Sequence, residues 1–114
     1  MISGTLLEAL IKFRRERNWE QFHTFRNLSS ALCVEAAELL DIFRWARDTD
    51  IDAIADQQRS EIENEIADVV IILTYLCHDL KISIEDVVAK KLMVNNEKYP
   101  VEIAKGTAKK YNRL

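Results

Sequence analysis

The sequence is poor in the residues that break helices: two glycines and one proline in 114 residues. So few turn signals exclude a chain of many short strands joined by tight turns and favour long helices. No stretch alternates apolar and polar residues at period two, so no sheet is expected. Cysteine is scarce too. Cys33 and Cys77 are the only two, with no Cys-x-x-Cys motif, which excludes a disulfide scaffold and a thiolate zinc site. Both fall in apolar helical stretches and read as buried free thiols of a reducing compartment. The longest apolar run, 66–77, contains Asp68 and is too short to span a bilayer. Lys12, Arg14 and Arg15 interrupt any apolar run early, so a signal-peptide pattern is missing. The expectation is a cytoplasmic protein without a membrane partner. There is no basic excess either: the net charge is −3. Basic residues gather near the two ends (Lys12, Arg14, Arg15, Arg17; Lys105, Lys109, Lys110, Arg113) and read as solvated surface. That balance argues against a nucleic acid polymer as partner.

What is present is ordinary for one globular domain, taken here as 1–114, with 48% hydrophobic and 31% charged residues. Four helical segments are expected. The first runs from about Thr5 to Arg17, with Leu6, Leu7, Leu10, Ile11 and Phe13 as its apolar face. An aromatic loop, 18–24, carries Trp19, Phe22 and His23. Thr24 caps the second helix, which runs to about Ala46. Asp48, Thr49, Asp50 and Asp52 break the pattern, with room for a helical turn at 51–55. The third helix covers about Gln58 to Asp79. Ser83 caps the fourth, Ile84 to about Glu97, whose first turn holds Glu85 and Asp86. Pro100 and Gly106 mark an irregular tail. The third helix is apolar nearly all round from Ile66 to Leu76, and four helices of this size can hardly surround it. This predicts an oligomer with that helix near the interface.

Two pairs of carboxylates sit where apolar residues belong. On the second helix the stripe reads Leu28, Leu32, then Leu39, Ile42, Ala46, and Glu35 fills the gap with Glu38 one turn on. On the third helix Glu65 and Asp68, again at i, i+3, run into the apolar stretch. Burying unpaired charge is costly. Protonation, a paired Arg or Lys, or a divalent cation would relieve it, and neither helix offers a cation on its core face. A metal is the simplest remedy, and all-oxygen ligation favours Mg²⁺ or Mn²⁺. The plainer alternative is that Glu-x-x-Glu and Glu-x-x-Asp are common on solvated helix faces. A ferritin-like di-iron site is discarded, because it needs Glu-x-x-His pairs and neither His23 nor His78 supplies one. Glu61 and Asp41, one turn outside the pairs, read as exposed surface.

Glu35-x-x-Glu38 followed by Glu65-x-x-Asp68 resembles the signature of the MazG-like, all-α nucleoside triphosphate pyrophosphohydrolases. The similarity is greater to their dCTP pyrophosphatase branch. It extends through Asn18-Trp19-Glu20-Gln21-Phe22-His23, Arg26-Asn27-Leu28, Trp45, Glu65-Ile66-Ala67-Asp68-Val69, Lys91 with Asn95, Lys98-Tyr99-Pro100, Gly106 and Lys110-Tyr111. The resemblance implies a four-helix-bundle-like MazG fold completed by oligomerisation, as a homodimer or a tetramer of two dimers. It implies Mg²⁺-dependent cleavage between the α and β phosphates, giving a nucleoside monophosphate and pyrophosphate, as housecleaning of non-standard or surplus nucleotides. Glu35, Glu38, Glu65 and Asp68 would hold the metal, with Glu38 or Glu35 taking the proton of water. Lys91, Asn95, Lys98 and Lys110 would meet the phosphates, and Tyr99 and Tyr111 would hydrogen-bond phosphate or pack. Trp19, Phe22 and Trp45 would stack on the base while His23 hydrogen-bonds its edge. Trp19 and Phe22 can equally be read as an apolar plug over the bundle end. The substrate implied is dCTP or a modified cytosine nucleotide. Two positions depart from the pattern. Phe25 stands where the family usually has a proline, which alters the loop entry. Ile72 stands where close relatives often carry a pocket-lining tyrosine, with Tyr75 one turn on as a partial substitute. A non-catalytic helical module that binds nucleotides or a partner helix is the alternative reading.

Overall fold

The computed structural model describes residues 2–114, and among them every regular element is helical. The helices are α1 (Gly4–Glu16), α2 (Phe25–Phe43), α3 (Ile51–Gln57), α4 (Arg59–Leu80), α5 (Ile84–Lys98) and α6 (Val101–Ala104). Single 3₁₀ turns lie at Glu20–Phe22, Asp48–Asp50 and Tyr111–Arg113. The four expected helices are α1, α2, α4 and α5. The helical turn expected at 51–55 is a full short helix, α3. The tail is less irregular than its Pro and Gly suggest, because Pro100 opens α6: its carbonyl accepts from the Ala104 amide at 2.9 Å. The chain forms two compact units, 2–81 and 82–114.

In the first unit α2 lies along α4 in the most extensive helix pairing, and α1 and α3 pack on α4 as well. The caps expected at Thr24 and Ser83 are made, and Ser3 adds a third. Ser3 accepts from the Leu6 amide, Thr24 from the Asn27 amide at 3.1 Å, and Ser83 from the Asp86 amide at 3.4 Å. Phe25 takes the first helical position behind Thr24, so the missing proline costs α2 no cap. Leu28, only 1% exposed, is the most deeply placed apolar side chain, and Tyr75 follows at 3%. Thr74 is buried beside it and satisfies its hydroxyl by donating to the Val70 carbonyl at 2.6 Å. Most of the other apolar residues of α4 are half-buried, while Ile66, Ala67 and Leu80 are exposed. No described helix is long and apolar enough to cross a membrane.

Two sequence expectations are corrected. Cys33 is exposed and Cys77 half-buried, both free. Cys33 falls off the 28–32–35–39 stripe that faces α4. Arg14, grouped with the solvated basic residues, is 5% exposed. It follows Leu7, Leu10 and Ile11 at helical spacing and continues their stripe into the core.

Helix α4 ends on Lys81, whose φ of 57° and ψ of 41° are left-handed, while its amide donates to the Cys77 and His78 carbonyls. A side chain with a Cβ is disfavoured there and glycine is not. Lys81→Gly is therefore expected to raise unfolding free energy by about 0.5–1 kcal/mol after the entropy it returns to the unfolded chain. Urea denaturation checks this, and a loss of stability would contradict it.

Candidate metal and nucleotide site

The carboxylates meet where α2 packs on α4. One oxygen each of Glu35, Glu38 and Glu65 lies within 4.8 Å of the others, an arrangement that can hold a metal ion. Glu35 and Glu65 are half-buried, Glu38 and Asp68 exposed. Asp68 lies outside that tight group but close enough for its charge to act on both Glu35 and Glu65. No Arg or Lys pairs with any of the four among the described residues. Asp41 is turned to Arg44 at 3.5 Å, and Glu61 is exposed, as expected of surface acids.

Crowding shows in the protonation. The Glu35 carboxyl is pushed up to about 7, first by burial, then by a hydrogen bond to Glu38 and by repulsion from Glu38, Asp68 and Glu65. Glu65 is raised as well, again by burial first and Glu38 next. Oε2 of Glu35 and Oε2 of Glu65 are both sealed from solvent without a hydrogen-bond partner. Two buried carboxylate oxygens without a partner, on residues of an anionic cluster, are what a hard divalent cation satisfies. The donor set fits such an ion: all oxygen, negatively charged, with two members open to solvent.

The aromatic loop is set by the end of α1. Asn18 is left-handed at φ 53°, its amide donates to the Arg15 carbonyl at 3.0 Å, and the Trp19 amide donates to the Arg14 carbonyl at 3.1 Å. This is a Schellman closure with asparagine in the place usually taken by glycine. Its customary apolar contact is the Trp19 indole against Phe13, edge to face, with centroids 5.6 Å apart. Asn27 Nδ2 ties the far end by donating to the Phe22 carbonyl at 2.8 Å. Trp19 and Phe22 remain exposed, Phe22 at 60%. His23 is half-buried, its ring 5.3 Å from Tyr75 and 6.4 Å from Trp19. Burial, and next the Arg14 charge, hold its pKa below the ordinary imidazole value, so it is neutral at neutral pH.

Some expected partners are not brought together. Trp45 lies beyond the end of α2, 83% exposed, with the Arg44 guanidinium 4.7 Å from its ring, and makes no ring contact with Trp19 or Phe22 among the described residues. Tyr75 does not offer its hydroxyl to a pocket, since that hydroxyl donates to the Leu10 carbonyl at 2.8 Å. In the second unit Lys91, Asn95 and Lys98 follow one face of α5 at helical spacing. Lys91 and Lys110 are exposed and Asn95 half-buried. The Tyr99 hydroxyl accepts from the Tyr111 amide at 3.2 Å, and Lys98 Nζ sits 4.5 Å from the centre of the Tyr111 ring. Sequence reasoning missed Arg14 and Asp79, whose side chains form a two-pronged ion pair with both contacts at 2.8 Å. The signal was there: Arg14 stands on an apolar stripe, and Asp79 lies one turn beyond Tyr75.

Two packed helices that bring Glu35, Glu38 and Glu65 together, with Asp68 near them, define an acidic site on a chain whose described elements are all helical. The chain is a member of the MazG-like family, whose match covers residues 31–114. It is 37% identical to dCTP pyrophosphatase 1 of mouse and 33% identical to that of human, in each case over 105 residues, 90% of this chain. The chain spans 62% of the length of those two proteins. A crystal structure of a pyrophosphatase from Archaeoglobus fulgidus superposes with a TM-score of 0.81 at 40% identity, covering 84% of this chain and 90% of the other.

A carboxyl with a raised pKa favours the protonated folded state. Its contribution to stability is complete below the ordinary value of 4.5 and is lost as pH rises through about 7. The metal-free protein is therefore expected to melt at falling temperatures from about pH 5 to pH 8, and Glu35→Gln to flatten that slope. Asp79 acts in the opposite sense. Arg14 holds it below 3.8, so its contribution persists above that value and is lost only in stronger acid. The two windows do not overlap. A metal-free melting temperature that rises between about pH 5 and pH 8 would contradict the crowding of Glu35.

Proposed function

We propose that the protein is a Mg²⁺-dependent nucleoside triphosphate pyrophosphohydrolase that converts dCTP or a modified cytosine deoxynucleotide into the monophosphate and pyrophosphate. The observation that carries this is the convergence of Glu35, Glu38 and Glu65 without an Arg or Lys partner among the described residues. Membership of the MazG-like family supports it, as do relatives named dCTP pyrophosphatase 1 and a structural neighbour described as a pyrophosphatase. The family match, 31–114, takes in the second compact unit and most of the first, which favours reading them as one domain over 1–114.

In this reading Glu35, Glu38, Glu65 and Asp68 hold the ion. Once bound, Mg²⁺, or Mn²⁺ in its place, supplies neutralisation of phosphate charge and acidification of water. Glu38 is exposed, hence reachable by water, and takes its proton, with Glu35 as its hydrogen-bonded neighbour. Trp19 offers a face for base stacking, with Trp45 as a second exposed indole. Neutral His23 hydrogen-bonds the base edge. Lys91, Lys98 and Lys110 provide point charges for the phosphates, with Asn95 and Tyr99 as hydrogen-bonding groups.

We read the working unit as a homodimer or a dimer of dimers. Val34, Leu40 and Ile66 in the first unit, and Val88, Leu92 and Met93 in the second, are all exposed in the single chain, apolar side chains that a second copy would cover. The compartment is the cytoplasm, where nucleotides are made and both free thiols stay reduced.

Pyrophosphate release from a panel of standard and modified deoxynucleoside triphosphates tests the reading. Glu38→Gln and Asp68→Asn are expected to lower turnover at least about 100-fold while circular dichroism and melting behaviour stay those of a folded protein. Full activity in either variant would show that the metal assignment is wrong. A strong preference for a purine triphosphate would remove the cytosine assignment and leave the reaction standing.

A further inference from the structure

Arg14 and Asp79 take no part in the carboxylate chemistry, yet they form the most buried ion pair among the described residues, with side chains 6% and 22% exposed. Both terminal nitrogens of Arg14 donate to Asp79, one to each carboxylate oxygen, at 2.8 Å. A buried pair of this kind is a poor source of stability, because desolvation offsets much of the attraction and apolar residues of similar volume often serve as well. What it supplies is geometry, since a forked guanidinium on a carboxylate fixes both groups in orientation.

The contacts around Arg14 show what is being oriented. Its carbonyl receives the Trp19 amide, the bond that starts the aromatic loop. Its guanidinium lies 4.6 Å from the centre of the Tyr75 ring, and Tyr75 is pinned in turn by its hydroxyl bond to the Leu10 carbonyl. His23, at the end of the loop, leans on that ring at 5.3 Å, and Trp19 lies 6.4 Å from His23. One residue thus governs both ends of the loop, by its backbone at Trp19 and by its side chain, through Tyr75, at His23.

We infer that the Arg14–Asp79 pair, acting through Tyr75, is a positioning device that holds Trp19 and His23 in the arrangement that binds the nucleobase. This rests on the assignment of those two residues to the base given above. Arg14 and Asp79 touch no substrate; they set the residues that do. Burial first, and the Arg14 charge beside it next, keep the His23 imidazole neutral; its Nδ1 is sealed from solvent, which leaves Nε2 as the atom able to meet a base edge.

The test separates positioning from mere support. Replacing both partners together, Arg14→Met with Asp79→Leu, leaves no buried charge unpaired, so this variant is expected to fold with a melting temperature close to that of the parent. Three quantities are then measured in it: KM and kcat for dCTP, and the inhibition constant of inorganic triphosphate, which has no base. Positioning predicts that KM for dCTP rises about tenfold, kcat changes less than about threefold, and triphosphate inhibits as before. Asp79→Asn, which keeps shape but breaks the charge, provides a second variant with the same expected pattern. A folded double variant that keeps the parent KM overturns the inference, as does a parallel rise in KM and in the triphosphate constant. If both variants prove unfolded, the pair is structural and the inference fails. A parent protein that neither binds nor cleaves any nucleoside triphosphate removes the proposed function itself, and the inference with it.

Discussion

Mutual repulsion among carboxylates packed between two helices is the constraint on which the rest depends. Helices α2 and α4 cannot pair closely without bringing these acids together, because Glu35 and Glu65 are half-buried where the helices meet and Glu38 lies at the exposed margin beside them. The metal-free protein answers by keeping protons: burial and neighbouring charge raise Glu35 and Glu65. A proton and a divalent cation are alternative solutions to the same electrostatic problem. A site of this kind is therefore coupled to folding, and its occupancy depends on pH.

The aromatic loop solves a different problem, how to hold apolar rings partly open to solvent without letting them collapse. It does so with backbone bonds. The Schellman closure at Asn18 and the Asn27 tie to Phe22 fix both ends of the segment, while Trp19 and Phe22 stay exposed. The rigidity comes from helix ends and not from burial. Its foundation is Tyr75, clamped between Arg14 and the Leu10 carbonyl.

Local rules were legible in the sequence wherever local chemistry decides. The helices at α1, α2, α4 and α5 follow from apolar spacing, and Thr24 and Ser83 cap where their types and positions indicate. The carboxylate cluster was legible as well, since acids on an apolar stripe carry an energetic cost visible without coordinates. Contacts between distant segments were not. Arg14 sits amid Lys12, Arg15 and Arg17 and reads as surface, but its partner lies 65 residues away. Tyr75 reads as a pocket tyrosine until its hydroxyl is found on Leu10. Cys33 sits in an apolar run yet is exposed, because α2 turns only one face to α4. Trp45 lies past the end of α2, where helical spacing no longer predicts its neighbours.

The proton inventory of metal binding reaches the central claim most directly. Calorimetric titration of Mg²⁺ into the metal-free protein, repeated in buffers of different ionisation enthalpy, gives the protons released per ion bound. If the ion replaces the proton held by Glu35, release is substantial near pH 6, declines toward pH 8 as that carboxyl ionises unaided, and is reduced in Glu35→Gln. Binding that releases no protons anywhere in that range would place the ion elsewhere and contradict the site described.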